Sequence, residues 1–370
     1  MAIAQAPIAA RPAPPVPQGW RGAWVWARRE LFGSALSSAF TLLALGLLIW
    51  LGWGLLQWGL LNAVFGADLA ACQAARGQGA CWGVLAEKGR LVLFGRYPLA
   101  EQWRAEAATA LLLALIGASG LRRCWRPWLL PLWVAGLALV FALLRGGVAG
   151  LSGVTTDLWG GLPLTLLLAT LGIALAFPLA VALALGRRSE LPAIRTLCVL
   201  YIEQVRGVPL ISLLFMASFL FPLFLPVGQT PDVLLRVLAG IALFAAAYLA
   251  ETVRGGLQAI PRGQVEAAQS LGLGWWVIQR RVVLPQALAL VVPGIMNSFI
   301  GVFKDTSLVT IVSLYELTGA LGLALNSDAD WRPYMLEGYL FIAAIYFAGC
   351  FTMSRYSLWV EARLARSRAR

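Results

Sequence analysis

Asn297, Ser298, Gly301, Lys304 and Asp305 recur at offsets of three, four and seven within one apolar run, and Thr306 follows them. On an α-helix the offsets from Asn297 through Ser298 and Gly301 to Lys304 mark one face, with Lys304 about 10 Å along the axis from Asn297. Charges at membrane depth are costly and usually face a protein interior or a water-filled path. Lys304 and Asp305 are sequence neighbours, so they point about 100° apart and each needs another partner. A zwitterionic amino acid supplies both, a carboxylate for Lys304 and an ammonium for Asp305. The plainer alternative is an interhelical ion pair that fixes packing, such as Asp305 with an arginine of another helix.

A second group holds Glu203, Arg206, Gly207 and Pro209, with Glu251 and Arg254 further on. Each Glu–Arg pair is spaced by three, close enough for a salt bridge on one helix, and pairing across helices is equally open. A structural or gating role fits these charges better than direct substrate contact, and Tyr248, near Arg254, is a further path residue. Cys72 and Cys81 share one loop and form a candidate disulfide if that loop faces an oxidising compartment.

Several chemistries are excluded outright. The chain has no histidine, which removes Ser-His-Asp triads, HExxH zinc sites and histidine proton relays. Its two lysines, Lys88 and Lys304, follow Glu87 and Phe303, so no Walker A phosphate loop exists. The five cysteines show no metal-ligand spacing. No cofactor or metal is expected, and the chain catalyses no bond chemistry.

The stretch from Glu266 to Pro285, EAAQSLGLGWWVIQRRVVLP, is too patterned for a plain connection. Ala267 and Ala268 favour a short helix, and Gly272 suits the left-handed position that ends one. A second helix from about Trp275 to Val283 is expected to stop before Pro285, because the residue before a proline is biased away from helical geometry. Such a hairpin is shaped to dock into a partner. Alternatively it rests on lipid, anchored by Trp275 and Trp276.

These residues must be carried by membrane helices. The 370-residue chain is 60% hydrophobic and 12% charged, with mean hydropathy of +0.78, whereas soluble domains carry about a quarter charged residues. The expected fold is an all-α integral membrane protein with eight spans: Phe40–Leu61, Ala107–Leu121, Trp128–Leu144, Trp159–Leu185, Val208–Val227, Val233–Leu249, Leu288–Leu314 and Tyr339–Met353. The net charge of +12 is nearly all arginine. In a soluble protein that charge would suggest nucleic acid; here it clusters in short loops. Arg28/Arg29, Arg122/Arg123/Arg126, Arg187/Arg188, Arg280/Arg281 and the basic tail fall on one side, so the positive-inside rule puts both termini in the cytoplasm. Trp50, Trp53 and Trp58 are most simply lipid-interface and packing residues.

Glu266-Ala267-Ala268, Gly272 and Val282-Val283-Leu284-Pro285 resemble the EAA loop of permease subunits of bacterial ABC importers, departing from it only by Val282 for isoleucine. The strings Glu251–Leu273, Tyr201–Ile211 and Phe303–Leu314 resemble the polar amino-acid uptake subfamily, and the resemblance covers about Leu158 to Arg363. Three further amino-terminal helices, with RYPLAEQWRAE between them, resemble the larger permease of a general L-amino-acid importer. The resemblance implies a cytoplasmic tail over 1–34, three added helices with a long external loop over 35–150, and a five-helix permease core over 151–363. It also implies a coupling loop over 255–287 and a basic tail over 364–370. Glu266, Ala267, Ala268, Ser270, Leu271, Gly272 and Gly274 would engage a separate ATP-binding subunit. A sister permease or a second copy would complete the path in the bacterial inner membrane, and a periplasmic binding protein would deliver the amino acid. An ion-coupled carrier acting alone is the rival reading, weakened by the absence of an inverted repeat.

Overall fold

The computed structural model describes residues 19–148, 150–226 and 228–368. Residues 1–18 of the amino-terminal tail, 369–370 of the carboxy-terminal tail and Val227, the expected end of the fifth span, lie outside them. The chain divides between Cys81 and Trp82 into two compact units.

The first unit contains α1 (Gly19–Glu30), α2 (Ala35–Leu56) and α3 (Leu69–Ala74). Ser34 begins α2 by accepting the Ser37 N–H at 3.1 Å, an N-cap that satisfies one of the four orphan donors of a helix start. A π-helical turn at Gln57–Leu61 prolongs α2 into a 27-residue apolar rod, Ala35–Leu61. At 1.5 Å per residue that is about 40 Å, more than the ~30 Å of hydrocarbon it must cross. None of its apolar window is buried within the chain. Asp68 caps α3, and a disulfide joins Cys72 and Cys81 with their Cα atoms 5.4 Å apart.

The second unit opens with α4 (Gly83–Phe94), α5 (Gln102–Gly120) and α6 (Leu129–Arg145), and continues with α7 (Gly161–Gly186), α8 (Pro192–Arg206), α9 (Leu210–Phe215) and α10 (Val233–Gln258). A hairpin of α11 (Arg262–Ser270) and α12 (Trp275–Ile278) leads to α13 (Leu284–Leu290), α14 (Val292–Asp305), α15 (Leu317–Asn326) and α16 (Met335–Arg368). There is no β-strand among the described residues, only two isolated bridges.

Helices α7 and α10 form the centre. Gly172, Ala176, Ala180 and Ala184 repeat every fourth residue on α7, and Ala242, Ala246 and Ala250 do so on α10; all are buried. Small residues at this spacing let two backbones approach closely, the main source of helix association in lipid. A Cβ on Gly172 would meet Ile241 at 2.9 Å, so the seam is already closed.

Among the described residues, five helices are long and apolar enough to cross a membrane, six if α8 and the Leu210–Phe224 segment count as one span bent by 104°. The expected eight are not reached. Helix α6 has 17 residues, and α5 carries Arg104 and Glu106 in its first turns, so neither is an apolar rod of full length. The expected Leu288–Leu314 span is also divided. Leu284 stays helical (φ −59°, ψ −45°) and the chain runs on through Pro285, contrary to the pre-proline expectation. The wider π-helical turn at Gln279–Val283 shifts the carbonyl that the proline ring would otherwise strike. The break falls instead at Val291, before Pro293, and α14 ends in a 3₁₀ segment, Thr306–Val312.

The amino-terminal part from Trp82 onward is packed with the rest of its unit. Where α4 ends, Gly95 (φ +61°) passes against Gly160 and Gly161, and a Cβ on Gly161 would lie 2.1 Å from the Leu93 carbonyl oxygen. Only glycine allows that approach.

Candidate functional site: a coupling hairpin, a polar helix face and a charge cluster

The hairpin is built as its glycine requires. Gly272 has φ +75°; its N–H donates to the Gln269 carbonyl at 2.9 Å, and Leu273 N–H donates to that of Ala268 at 3.3 Å. This pair of bonds is a Schellman closure of α11. A Cβ at Gly272 would meet nothing within 4 Å, so conformation alone demands glycine. Glu266, Ala267, Ser270, Leu271, Gly272 and Gly274 are exposed, and Leu271 is 79% so. Ala268 faces the other way. With Ile278, Val283 and Ala287 it forms a small core against Ala184 of α7 and Val253 and Leu257 of α10. The hairpin thus presents an open outer surface while its keel rests on the ends of the two central helices. A cleft of about 270 Å³ beside it is lined by Arg188, Arg262, Glu266, Gln269 and Gln279 among others.

On α14 the polar residues separate by depth. Asn297 and Lys304 are exposed, and Ser298, Gly301 and Asp305 are half-buried. Ser298 donates to the Gly294 carbonyl at 3.1 Å. Thr306 is fully buried and donates to the Phe303 carbonyl at 2.8 Å, so the structure sets it apart from the open face. Ile295, Val302 and Phe303 are buried, and the Phe303 ring lies 5.3 Å from that of Tyr346 on α16. Among the described residues, neither Lys304 nor Asp305 has an ion-pair partner within 4.0 Å, and the arginine pairing weighed for Asp305 does not form among them.

The third group gathers around Glu251. Its carboxylate pairs with Arg187 at 2.6 Å, Arg254 at 2.8 Å and Arg206 at 3.8 Å, while Glu203 pairs with Arg187 at 3.0 Å. The ends of α7, α8 and α10 therefore meet on one carboxylate. The pairs run across helices except for Glu251 with Arg254. Arg187 was legible only as one of the orientation-setting arginines; nothing in its spacing points to Glu203 or Glu251. Tyr248 stacks under Arg206, whose guanidinium carbon is 5.5 Å from the ring centroid.

A fully buried carboxylate escapes any spacing argument. Glu316 is fully buried and caps α15, accepting the N–H groups of Thr318 and Gly319 at 2.9 Å each. Tyr346 of α16 donates to it at 2.8 Å, and the hydroxyls of Thr165 on α7 and Thr310 lie 3.3 Å away. Between α8, α9 and α10 lies a groove of about 590 Å³, whose lining is apolar apart from Tyr201 and Arg236. It offers a zwitterion little.

The family of binding-protein-dependent transport system inner membrane components matches residues 176–366. The inner membrane amino-acid ABC transporter permease protein YhdY of Escherichia coli K12 is 45% identical over 359 residues, 94% of each chain. The glutamate/glutamine/aspartate/asparagine transport system permease protein BztC of Rhodobacter capsulatus is 38% identical over 417 residues, covering 95% of this chain and 96% of its own. The probable glutamine ABC transporter permease protein GlnP of Bacillus subtilis is 32% identical over 206 residues, 56% of this chain but 93% of its own length.

Proposed function

This chain belongs to the family of binding-protein-dependent transport system inner membrane components, and on that premise we propose that it is the membrane-spanning permease subunit of an ATP-driven importer of L-amino acids. The observation that carries the reading is the exposed hairpin closed by Gly272, whose buried keel rests on α7 and α10. A push on α11 is passed directly to the central helices, as coupling to a separate ATP-binding subunit requires. An ion-coupled carrier acting alone has no use for such an element and does not belong to this family.

The exposed polar face of α14, with Asn297, Gly301 and Lys304, lines the translocation path, and Asp305 flanks it. Its unpaired ammonium and carboxylate suit a zwitterion. The face is complete only opposite another permease surface, supplied by a sister subunit rather than a second copy, given the added amino-terminal segment. The Glu251 cluster ties three helix ends together and acts as the inner gate. Six spans, counting the bent one once, support both termini on one side, and the arginine distribution makes that side cytoplasmic. The Cys72–Cys81 loop then faces the periplasm, where the binding protein delivers the amino acid.

The test is ATP hydrolysis by the purified complex in lipid, with its binding protein and an amino-acid panel, for wild type and Gly272→Arg side by side. Stimulation by amino acid plus binding protein in wild type alone is the expected result. Uptake on a proton or sodium gradient with no ATPase present would overturn the reading.

A further inference from the structure

Helix α1 carries a surface that transport does not use. Trp20, Ala23, Trp24 and Ala27 follow offsets of three, four and seven, and so share one face. Trp20 is 94% exposed and Trp24 71%. Arg28 and Arg29 close the helix, with Arg29 3.7 Å from Glu30.

What this face can reach is set by the next element. Four residues, Leu31–Ser34, separate α1 from α2, at most about 14 Å of extended chain. They are drawn in further. The Ser37 hydroxyl lies 3.1 Å from the Glu30 carbonyl oxygen and 3.0 Å from that of Leu31, and the Thr41 hydroxyl donates to Leu31 at 2.9 Å. Hydroxyls from the first two turns of α2 thus hold the end of α1. Because α2 belongs in hydrocarbon on every side, α1 is fixed at the depth where that hydrocarbon begins. Two tryptophans on one face, a third (Trp26, 47% exposed) at its edge about 110° from the centre, and arginines at the helix end are what the headgroup region accommodates. Guanidinium groups are drawn to the phosphates of an anionic leaflet.

We propose that α1 lies in the bilayer interface, with the Trp20–Ala27 face toward the acyl chains and Arg28 and Arg29 on anionic lipid headgroups. It acts as an anchor that sets the depth of α2 and senses anionic lipid. This proposal does not rest on the transport reading.

The test uses the full-length chain in nanodiscs of phosphatidylcholine alone or mixed with phosphatidylglycerol. Cys124, Cys198 and Cys350 are first replaced by serine, leaving the disulfide intact. A nitroxide is then placed at Ala23→Cys, or at Gly22→Cys, about 150° from the centre of the apolar arc. In mixed discs, label 23 should collide preferentially with oxygen and label 22 with a water-soluble nickel chelate. The oxygen preference at 23 should fall severalfold in phosphatidylcholine alone, and in mixed discs carrying Arg28→Gln and Arg29→Gln. Equal chelate access at both labels overturns the proposal, as does shielding of label 23 from both reagents, which would mean a protein covers it. The same oxygen preference with and without phosphatidylglycerol overturns the role of anionic lipid.

Discussion

Gly272 is the residue on which the hairpin turns, and its constraint is conformational. Nothing crowds its Cβ position, so Gly272→Ala should fold and lose on the order of 1 kcal/mol, the cost of a left-handed alanine. A larger side chain adds bulk on an exposed surface. We therefore expect Gly272→Ala to retain most binding-protein-stimulated ATP hydrolysis, and Gly272→Arg to lose it at equal expression. Loss in both variants would show that the loop conformation itself, not the docking surface, carries the signal. At Glu251 three arginines converge on one carboxylate, so its neighbours should be energetically coupled. A double-mutant cycle of Glu251→Gln and Arg187→Met, read by thermal unfolding in detergent, should give an interaction of at least ~0.5 kcal/mol. A value near zero would make the contact incidental and rule out the proposed gating role.

At the scale of elements, the helices were more legible than their interruptions. Apolar runs identify α2, α7, α10 and α16 because lipid rewards length and hydrophobicity alone. The bend between α8 and α9 and the division between α13 and α14 depend on how backbone groups are repaid locally, and Pro285 shows how such rules fail. A π-helical turn absorbed a proline that was expected to end a helix. The first half of the hairpin, α11 and its closure at Gly272, was legible because Gly272 and the alanines act locally. The four-residue ladder of small side chains on α7 marks the seam with α10. Glu316 was not legible, since its partners come from residues 165, 310 and 346. It holds α7, α15 and α16 to one point, which gives an ordered expectation. Glu316→Ala leaves two N–H groups of α15 uncapped and should cost about 1–2 kcal/mol or more, whereas Glu316→Gln keeps one carbonyl acceptor and should cost less. Thermal midpoints of the two variants test that order; a reversed order would mean that the cap is not what Glu316 provides.

Over the whole molecule, the sequence relationship and the packing draw different lines. The family match begins at residue 176, while compactness divides the chain after Cys81, so α4, α5 and α6 fold with the segment that the family defines. One clasp inside that unit is Lys88 of α4 with Asp328 beyond α15, at 2.7 Å. The lysine, chiefly through its hydrogen bond, holds the Asp328 carboxyl below its ordinary value. A depressed carboxylate stabilises the fold above its unfolded pKa of about 3.9 and loses that contribution as pH falls through its folded value. Thermal midpoints should therefore separate wild type from Lys88→Met near neutrality and converge in acid below pH ~4. Curves that stay parallel to the lowest pH would assign the difference to packing of the lysine stem.

The scarcity of lysine has a use in labelling chemistry. Arginine supplies nearly all of the positive charge, so side-chain amines have two addresses in 370 residues, Lys88 and Lys304. One is engaged with Asp328 and the other stands exposed on the α14 face. A small acylating reagent followed by peptide mass spectrometry becomes a two-channel reporter on the unmodified protein, with Lys88 reading the clasp and Lys304 reading the polar face. Protection of Lys304 by an amino acid, at constant reactivity of Lys88, would map occupancy of the path without a single engineered residue.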